Sequence, residues 1–471
     1  MMMTPTHFNA ISHLCIGLLC FSIIEGSPAE PANPSENARF WEHIYDDNRP
    51  LSFHFIFSEE SWNEMNGNSS KRSQTNRPER RPPGRRAPQK FEYVEADMEV
   101  SGRRYEKIGI RYKGNSSFRS SRDSPRKPFK IDTNRYQKGL KLFGETKLNF
   151  SNAFLDPAYM KEKLGYEVYR SAGLPAPGVG WAEVTYSVEG LYRKKRLGLY
   201  VIIEQVDSNY IEKWFGKDSA DSLLMKPESR EDWRYLGTDP KAYDAFGFKY
   251  GKKQIGLIQK FAETLKMIES STDEVFQKEM GTYIDVENFA AYFAATALLV
   301  NLDSYVGMPH NYYLLLDKRD GLLKILPWDV NESFGTFTLN QDPARLIRWD
   351  IQRPWIAQRK LAERLFATES FRTLYLQQLR NLLDNGFQEK RLINRIRVLR
   401  KNIEPLLTHD PYGFGLEGVE AGIRGDQNGL VPVVERRIPA IEPFIRKRTE
   451  SVKNQLAGKE AGERIQPRWR R

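Results

Sequence analysis

The sequence predicts an α+β chain of two lobes, in which a sheet-rich N-terminal lobe precedes a mainly helical C-terminal lobe. Its 471 residues exceed what one hydrophobic core usually supports. Short segments that alternate apolar and polar residues run from residue 93 to residue 204, which is typical of strands. From residue 253 onward, apolar residues recur every three or four positions, which is typical of helices.

The composition is that of a globular protein, with 40% hydrophobic, 12% aromatic and 28% charged residues. It excludes collagen-like, mucin-like and wholly disordered chains. The two cysteines, Cys15 and Cys20, exclude a disulfide framework and a cysteine-ligated zinc site. The six histidines show no metal-ligand spacing, and the Gly-x-Ser-x-Gly motif of a hydrolase is absent from the sequence.

An apolar stretch at residues 11–24 suits the core of a signal peptide and is short for a membrane span. We therefore expect a signal peptide at residues 1–27 and a secreted or cell-envelope protein. Because no Lys or Arg precedes the stretch and Glu25 disturbs the cleavage pattern, an uncleaved anchor and a misassigned start are the alternatives. After this leader no segment is long and apolar enough to span a membrane, and residues 289–300 are interpreted as a buried helix.

The net charge of +11 is concentrated in two places. Residues 71–90 carry eight basic side chains and one acidic one, and the last eight residues carry four more basic side chains. We predict that residues 71–90 form a flexible insertion, either a solvated loop or a contact for an anionic partner. The expected divisions are an N-terminal segment at 28–50, the N-terminal lobe at 51–250, the C-terminal lobe at 251–455 and a basic tail at 456–471.

The first lobe is predicted to be a sheet with one inserted helix. Its predicted strands are 93–100, 105–112, 127–132, 147–150, 181–188 and 197–204. The first two flank a turn at Ser101-Gly102. Asp156 and Pro157 are expected to open the helix, whose apolar stripe recurs every four residues before the helix ends at Gly173.

The second lobe is predicted to contain a helix at 253–268 and a second helix that Asp285 caps and that continues to residue 300. The second helix is apolar nearly all round, so we expect it to be the buried axis of the lobe. A hairpin follows, with strands at 312–316 and 322–326 around Asp320-Gly321. Amphipathic helices are expected near 361–383 and 389–403.

Three polar residues around this hairpin indicate a chemical role. Asp303 follows the buried helix, Asn311 precedes the hairpin and Asp329 comes after it. This order of elements matches the layout of a protein-kinase-like phosphotransferase. Phosphoryl transfer needs a cation at the phosphates, oxygen ligands for magnesium and an acid that orients the attacking hydroxyl. We therefore expect the three side chains to share one cleft.

Four longer motifs resemble the spore-coat protein H (CotH) kinase family. They are, in chain order, KLNFSNAFLDPAYMKEKLGYEVYRSAGLPAP, GLYVIIEQVD, HNYYLLLD and LPWDVNESFG. The resemblance extends over residues 50–455 and implies an atypical protein-kinase fold. It also implies that an exported protein uses ATP and Mg²⁺ or Mn²⁺ to phosphorylate serine or threonine hydroxyl groups of a surface or coat protein.

The resemblance implies a role for each of these residues. Asp303 matches the family's catalytic-loop Asp, and Asp329 matches the metal-binding Asp that opens the equivalent of the activation segment. Asn311 is the second metal ligand by position, although its spacing from Asp303 is longer than in ordinary kinases. The family often has Trp-Asp-x-Asp, whereas Asn331 occupies the second acidic position here and removes one charge. His310 is expected to be structural.

A nucleotide lysine and its acidic partner are also implied. Lys130, on the predicted strand 127–132, occupies the position where a kinase-like fold has its nucleotide lysine. Its partner is Glu162 or Glu167, on the helix that follows. The family-like Glu-Lys-Leu run favours Glu162, whereas helical phase favours Glu167, and we prefer Glu162.

Two other segments are candidates for nucleotide contact. Gly114, Asn115 and Ser116 occupy the position of a phosphate-covering turn, or they form a plain hairpin turn. Glu204 and Val206 fall where a hinge would meet the adenine, although a glutamate at a strand end often pairs with a surface lysine instead.

Two classes of function remain open. The first is an active exported kinase, which the retention of Asp303, Asn311 and Asp329 favours. The second is a binding or adhesion module on a degenerate kinase scaffold, because a fold does not guarantee an activity. Asn331 and the basic insertion favour the second class.

Overall fold

The computed structural model describes residues 44–47, 50–75, 91–121, 123–227 and 232–466. These residues form a mixed α/β architecture in which most strands precede most helices. The predicted signal peptide and the last five residues of the basic tail lie outside the described ranges. Within those ranges, no helix has the length and apolar character that crossing a membrane requires.

Seven strands close into a barrel in the N-terminal part of the chain. They are β1 (Leu51–Phe57), β2 (Val94–Val100), β3 (Arg103–Tyr112), β4 (Phe129–Asp132), β5 (Lys147–Ser151), β6 (Val179–Val188) and β7 (Tyr192–Glu204). Their order around the barrel is β1, β2, β3, β4, β5, β7, β6. β1 closes the barrel by pairing with β6 in parallel, and it pairs with β2 in antiparallel orientation. The six predicted strands are confirmed as β2 to β7, and β1 is an additional strand.

The strand pattern explains why this sheet forms a barrel with a filled interior. Ser101 and Gly102, which join β2 to β3, have φ values of 51° and 73°, as a two-residue turn between twisted strands requires. Alternate residues of β1 are buried. Among them, Phe53 and Phe55 have ring centroids 5.1 Å and 5.9 Å from that of Phe150. An aromatic core therefore supports the barrel from within.

Four helices accompany the barrel: α1 (Glu59–Thr75), α2 (Ser116–Ser120), α3 (Lys161–Ser171) and α4 (Ser208–Phe215). The predicted inserted helix is α3, and it begins at Lys161 rather than at Asp156. Tyr159 has a φ of 58°, which cannot continue a helix, and its hydroxyl donates to Asp410 (2.7 Å). Asp156 still accepts the backbone N–H of Lys161 (2.7 Å), so it caps the helix from outside.

The rest of the chain is mainly helical. Its helices are α5 (Ile255–Ser270), α6 (Asp273–Glu279), α7 (Val286–Leu299), α8 (Pro343–Ile347), α9 (Lys360–Ala367), α10 (Glu369–Asp384), α11 (Glu389–Leu407), α12 (Gly415–Arg424) and α13 (Ile441–Leu456). α7 is the predicted buried axis: Asp285 accepts the N–H of Asn288 (3.0 Å) at its start, and every residue from 289 to 299 is buried. α7 therefore forms the centre of a second hydrophobic core.

A second sheet contains the predicted hairpin. Its strands are β8 (Leu223–Met225), β9 (Phe248–Tyr250), β10 (Tyr312–Leu316) and β11 (Leu323–Pro327), in the order β11, β10, β8, β9. Gly321 has a φ of 69° in the turn that joins β10 to β11. β8 pairs with β10 of this hairpin and β9 pairs with β8, so both strands lie in the sheet that contains the hairpin, and β9 ends at the predicted division, residue 250. A separate hairpin consists of β12 (Leu430–Val433) and β13 (Arg436–Pro439).

The basic stretch at residues 71–90 is only partly described. α1 extends five residues into it and ends at Thr75. Residues 76–90 lie outside the described residues, so the flexible insertion stays a prediction.

Candidate active site

Asp303 lies in the loop that follows α7, and two neighbours hold its carboxylate. Asn311 donates from Nδ2 to Oδ2 of Asp303 (2.8 Å), and Nε2 of His310 lies 2.9 Å from Oδ1. His310 is fixed in turn, since its Nδ1 lies 2.9 Å from the carbonyl oxygen of Met308, which can only accept. The structure therefore brings Asp303 and Asn311 together, and it places His310 between Asp303 and the backbone of Met308.

The loop around Asp303 depends on close backbone contacts. A Cβ atom at Gly307 would lie 1.9 Å from the carbonyl oxygen of Leu302, so the loop requires glycine there. The buried guanidinium of Arg359 donates to the carbonyl oxygens of Tyr305 (3.1 Å) and Gly307 (2.6 Å). Arg359 thus fixes the segment between Asp303 and Asn311. Sequence reasoning missed it because it is distant in the chain and belongs to no local motif.

Asp329 directly follows the hairpin and packs against α3. Its φ of 54° places it in the left-handed region, and a short 3₁₀ helix, Val330–Glu332, comes next. The hydroxyl of Tyr166 on α3 accepts the backbone N–H of Asp329 (2.9 Å). A Cβ atom at Gly165 would lie 3.1 Å from Val330, so glycine lets α3 approach this turn closely. α3 therefore positions Asp329 through backbone contacts.

Lys113, Glu162 and Asp329 form an electrostatic cluster between the barrel and the helical part. Burial lowers the pKa of Lys113, and attraction to Asp329 and Glu162 opposes that shift. Burial, followed by repulsion from Asp329, raises the pKa of Glu162 to about 8, whereas Lys113 opposes this shift. The three groups therefore act on one another in a poorly hydrated place. Sequence reasoning missed Lys113, which directly follows β3.

Lys130 has a different partner from the one predicted. Its Nζ donates to Oε1 of Gln205 (2.6 Å), at the predicted hinge. Of the two predicted acidic partners, Glu162 faces Lys113, and Glu167 pairs with Arg395 (2.6 Å) instead. The structure therefore places Lys113, rather than Lys130, beside the acid on α3.

Several cations nevertheless surround Lys130. Burial lowers the pKa of its ammonium group well below the ordinary value, and repulsion from Arg111, Lys113 and Lys147 adds to this effect. These four basic side chains come from β3, the end of β3, β4 and β5. A concentration of positive charge along neighbouring strands suits an anionic ligand.

The predicted phosphate-covering turn directly follows Lys113. Gly114 has a φ of 80°, and a Cβ atom on it would lie 2.2 Å from the hydroxyl of Ser117. Asn115 and Ser116 are exposed, and Ser116 begins α2. Because α2 intervenes before β4, the segment is not a plain hairpin turn.

The predicted hinge residues turn their side chains away from the cleft. The buried carboxylate of Glu204 forms an ion pair with Lys213 and accepts the backbone N–H of Gly178 (2.9 Å). The side chain of Val206 is buried, and its carbonyl oxygen accepts from Gln205 (2.9 Å). Any contact from Glu204 or Val206 to a ligand would therefore involve the backbone.

Lys226 is another basic residue that sequence reasoning missed. Its Nζ lies 5.3 Å from the ring centroid of Trp328 and 5.6 Å from that of Tyr313. Lys113 approaches the same Trp328 ring, at 5.9 Å. Trp328 precedes Asp329, so two lysines from distant parts of the chain flank the ring next to the proposed metal ligand.

Glu332 responds electrostatically to both Asp303, the predicted catalytic acid, and Asp329, the predicted metal ligand. Burial raises its pKa to about 8, with repulsion from Asp303 and then from Asp329 adding to the effect. Arg436 and Lys161 oppose the shift. Asp303 and Asp329 therefore both lie within electrostatic reach of one buried carboxyl group.

A second acidic cluster at the hinge predicts a pH dependence of stability. Burial, and then repulsion from Glu204 and Asp207, raises the pKa of Glu145 from 4.5 to about 8. The folded chain therefore keeps a proton that the unfolded chain releases, and this contribution to stability is lost as the pH rises from 4.5 to 8. Glu145→Gln should flatten the fall in melting temperature between pH 5 and pH 8, as measured by calorimetry. As a control, Glu106→Gln, at an exposed position, should leave the fall in melting temperature unchanged. If Glu145→Gln also leaves it unchanged, the raised pKa of Glu145 is wrong.

These groups are of the chemical types that phosphoryl transfer uses. Basic side chains lie near Lys130, oxygen atoms of the kind that Asp329 and Asn311 carry suit a hard cation, and two neighbours hold the carboxylate of Asp303. The arrangement needs no cysteine or histidine ligand.

Comparisons with known proteins show which proteins this chain is similar to. Residues 110–452 match the family described as CotH kinase protein. The chain is 24% identical to inner spore coat protein H of Bacillus subtilis (strain 168) over 333 residues, which cover 68% of this chain and 82% of that protein. It is also similar to the crystal structure of a Helicobacter pylori proinflammatory kinase CtkA, with 11% identity over 79% of this chain and 96% of that one. The TM-score for this structure is 0.23.

Proposed function

Since this chain belongs to the CotH kinase family, we propose that it transfers the γ-phosphate of ATP to serine or threonine hydroxyl groups of a surface or coat protein. In this proposal the barrel and the helical part are the two lobes of an atypical protein-kinase fold. The nucleotide binds between them. The observation that carries the proposal is the carboxylate of Asp303, which Asn311 (2.8 Å) and His310 (2.9 Å) hold in the loop before the hairpin that leads to Asp329. The mutual electrostatic effects of Lys113, Glu162 and Asp329 support it.

Lys113 is the cation that contacts the phosphates, and Glu162 holds it in place. This role was expected of Lys130, which instead contacts the hinge residue Gln205. Lys226 adds positive charge beside Trp328. Gly114, Asn115 and Ser116 present backbone and hydroxyl donors to the phosphates, directly after Lys113.

Asp329 and Asn311 are the residues that would hold Mg²⁺ or Mn²⁺. Because Nδ2 of Asn311 faces Asp303, its Oδ1 is the atom that can meet the cation. Carboxylate and amide oxygens are the ligands that such cations prefer. When bound, the cation would neutralise charge on the phosphoryl oxygens.

Asp303 orients the acceptor. The acceptor oxygen forms a bond to the γ-phosphorus as the bond to the β–γ bridging oxygen breaks, and ADP leaves. The acceptor proton passes to the carboxylate of Asp303, which His310 and Asn311 keep in position. This division of roles separates the residues for nucleotide binding from the residue for the acceptor.

We infer the class of acceptor from the similar Bacillus subtilis protein. The Bacillus subtilis protein is an inner spore coat protein, and we extend an association with a coat or envelope to this chain. A protein acceptor in that location agrees with the signal peptide expected from the sequence. The basic insertion at residues 71–90 is then available for an anionic partner.

The alternative is a kinase scaffold that binds without transferring phosphate, which the amide at position 331 favours. An experiment that distinguishes the kinase from the scaffold is to incubate purified protein with γ-labelled ATP and Mg²⁺ or Mn²⁺. The measurement is the amount of label that enters the chain itself and an added coat protein. Metal-dependent labelling supports the kinase. Protein that neither binds ATP nor becomes labelled would support the scaffold.

Lys113→Met should weaken binding of ATP about tenfold or more, because it removes a charge-assisted contact to phosphate. Lys130→Met should weaken it less, since the amine of Lys130 already donates to Gln205. Calorimetric titration with a non-hydrolysable ATP analogue compares the two variants directly. A larger loss in Lys130→Met would return the nucleotide role to Lys130.

A further inference from the structure

Helix α3 interacts with Asp329 on one side and carries two charged residues with other partners on the adjacent side. Glu162 and Tyr166, one turn apart, both interact with Asp329, the first by charge and the second through the backbone N–H. Lys163 and Glu167 are also one turn apart and lie about 100° further around the helix. Any contact that holds these two residues therefore also holds the side of α3 that meets Asp329.

Asp47, which precedes the barrel, supplies a carboxylate to Lys163. Oδ1 of Asp47 lies 2.5 Å from Nζ of Lys163, whose side chain is only 7% exposed. The same ammonium group donates to the carbonyl oxygen of Val179 at the start of β6 (2.8 Å). Burial lowers the pKa of Lys163, and attraction to Asp47 and then to Glu167 opposes this shift. The buried ammonium group depends on Asp47, because an unpaired charge is costly in a poorly hydrated place.

Arg395 of α11 joins Asp47 to the second charged residue of α3. Its guanidinium forms an ion pair with Asp47. It also donates from Nη2 to Oε1 of Glu167 (2.6 Å) and from Nε to Oε2 of Glu167 (3.0 Å). A contact through two nitrogen atoms and two oxygen atoms fixes orientation as well as distance. The segment at residues 44–47, α3 and α11 are therefore joined by four charged side chains.

The segment at residues 44–47 also packs against the barrel. Ile44 and Tyr45 are buried, with exposed fractions of 1% and 5%. A Cβ atom at Gly180 of β6 would lie 2.4 Å from the carbonyl oxygen of Ile44, so the segment approaches β6 more closely than a larger residue would allow. Asp47 therefore extends from a segment that is held in place, and its carboxylate can hold α3.

We propose that Asp47 is a positioning residue for the nucleotide site and that residues 44–47 regulate this site through α3. Asp47 contacts neither the nucleotide nor the cation. Its ion pairs fix α3, and α3 fixes the turn at Asp329 through the hydroxyl of Tyr166. This inference rests on the proposed function and adds a means of regulating it. A change that separates residues 44–47 from α3 would weaken nucleotide binding and leave every residue of the site present.

The first test is hydrogen–deuterium exchange of the full chain without nucleotide, measured by mass spectrometry. Asp47→Asn should speed exchange about threefold or more both in α3 and in the turn at residues 328–333, because the N–H of Asp329 donates to a hydroxyl on α3. Asp47→Glu, which keeps the charge, should restore part of the protection. Faster exchange in α3 with unchanged exchange in the turn would overturn the inference.

Glu420→Gln is the matched control, because it also removes an ion pair of α11. Glu420 pairs with Arg400 (2.5 Å) and joins α11 to α12 rather than to α3. This variant should leave exchange in the turn at residues 328–333 unchanged, whatever its melting temperature. Equal acceleration of the turn in Glu420→Gln and Asp47→Asn would show a general loss of stability and would also overturn the inference.

The second test is calorimetric titration of the full chain with a non-hydrolysable ATP analogue. Asp47→Asn should weaken binding about threefold or more, and Glu420→Gln should bind as the wild type does. Because coupling between two sites is reciprocal, the analogue should also slow exchange of residues 44–47 in the wild type.

The outcomes separate this inference from the proposed function. If the wild type binds no analogue, the proposed function fails, and the exchange experiment still supports or overturns the positioning of the turn by Asp47. If the wild type binds the analogue and Asp47→Asn binds it equally well, the inference fails and the proposed function stands.

Discussion

Replacing Asp329 with Asn should lower phosphate transfer from ATP about 10²-fold or more while the protein stays folded. In the proposed mechanism this carboxylate holds the cation that neutralises charge on the transferred phosphoryl group. Asn keeps the size of the side chain and tolerates the φ of 54° at this position better than Ala would. A loss of transfer can then be assigned to the lost charge rather than to backbone strain.

The measurement is the initial rate of label transfer at several Mg²⁺ concentrations, together with the melting temperature of each variant. Asp244→Asn is a suitable control, because Asp244 is an exposed acid that pairs with Lys252 at the surface (3.0 Å). The control should transfer at the wild-type rate. If Asp329→Asn also transfers at that rate, the metal role of Asp329 is wrong.

Asp303→Asn should abolish most of the transfer and leave the affinity for metal and ATP close to that of the wild type. The proposed partner of Asp303 is the acceptor hydroxyl, and removal of a general base typically costs about 10²–10⁴-fold in rate. Asn at this position can still accept a hydrogen bond from Asn311 or His310, so the loop keeps much of its support. It cannot take up the acceptor proton.

Both quantities have to be measured on the same preparation, with ATP affinity from calorimetric titration and transfer from label incorporation. Asp329→Asn should lose affinity for ATP and Asp303→Asn should keep it, whereas both variants should lose most of the label transfer. An equal loss of ATP affinity in the two variants would contradict the separate roles of acceptor and metal residue.

The hairpins and the buried helix could be predicted because their signals are local. Ser101-Gly102 joins two segments that alternate apolar and polar residues, Asp320-Gly321 joins two mainly apolar segments, and Gly102 and Gly321 adopt positive φ values. α7 could be predicted because a helix that is apolar on all sides has to be buried. In these cases the residues that determine the structure are neighbours in the sequence.

The start of α3 could not be predicted, because a distant residue determines it. Asp156 and Pro157 form a good helix-start signal, but Tyr159 breaks the helix with a φ of 58°. The hydroxyl of Tyr159 donates to Asp410, which lies in the connection between α11 and α12. Nothing near residue 159 in the sequence shows this contact.

The choice between Lys130 and Lys113 as the nucleotide lysine also could not be predicted from local sequence. Strand alternation shows which face of a strand a side chain occupies, but not which other element approaches that face. Lys130 lies within β4, opposite Arg111 of β3, whereas Lys113 lies just beyond the end of β3, where α3 and Asp329 approach.

Closure of the barrel by β1 has a consequence for dividing this protein into fragments. A fragment limited to the matched residues 110–452 would lack β1, β2 and most of β3. β6 would lose β1, one of its two partners, and the part of β3 that remains would lose β2, which would leave unpaired backbone N–H and C=O groups along both strands. The aromatic side chains of the interior would also meet water. Such a fragment would associate through its open strands, so the unit that folds is longer than the unit that resembles other proteins.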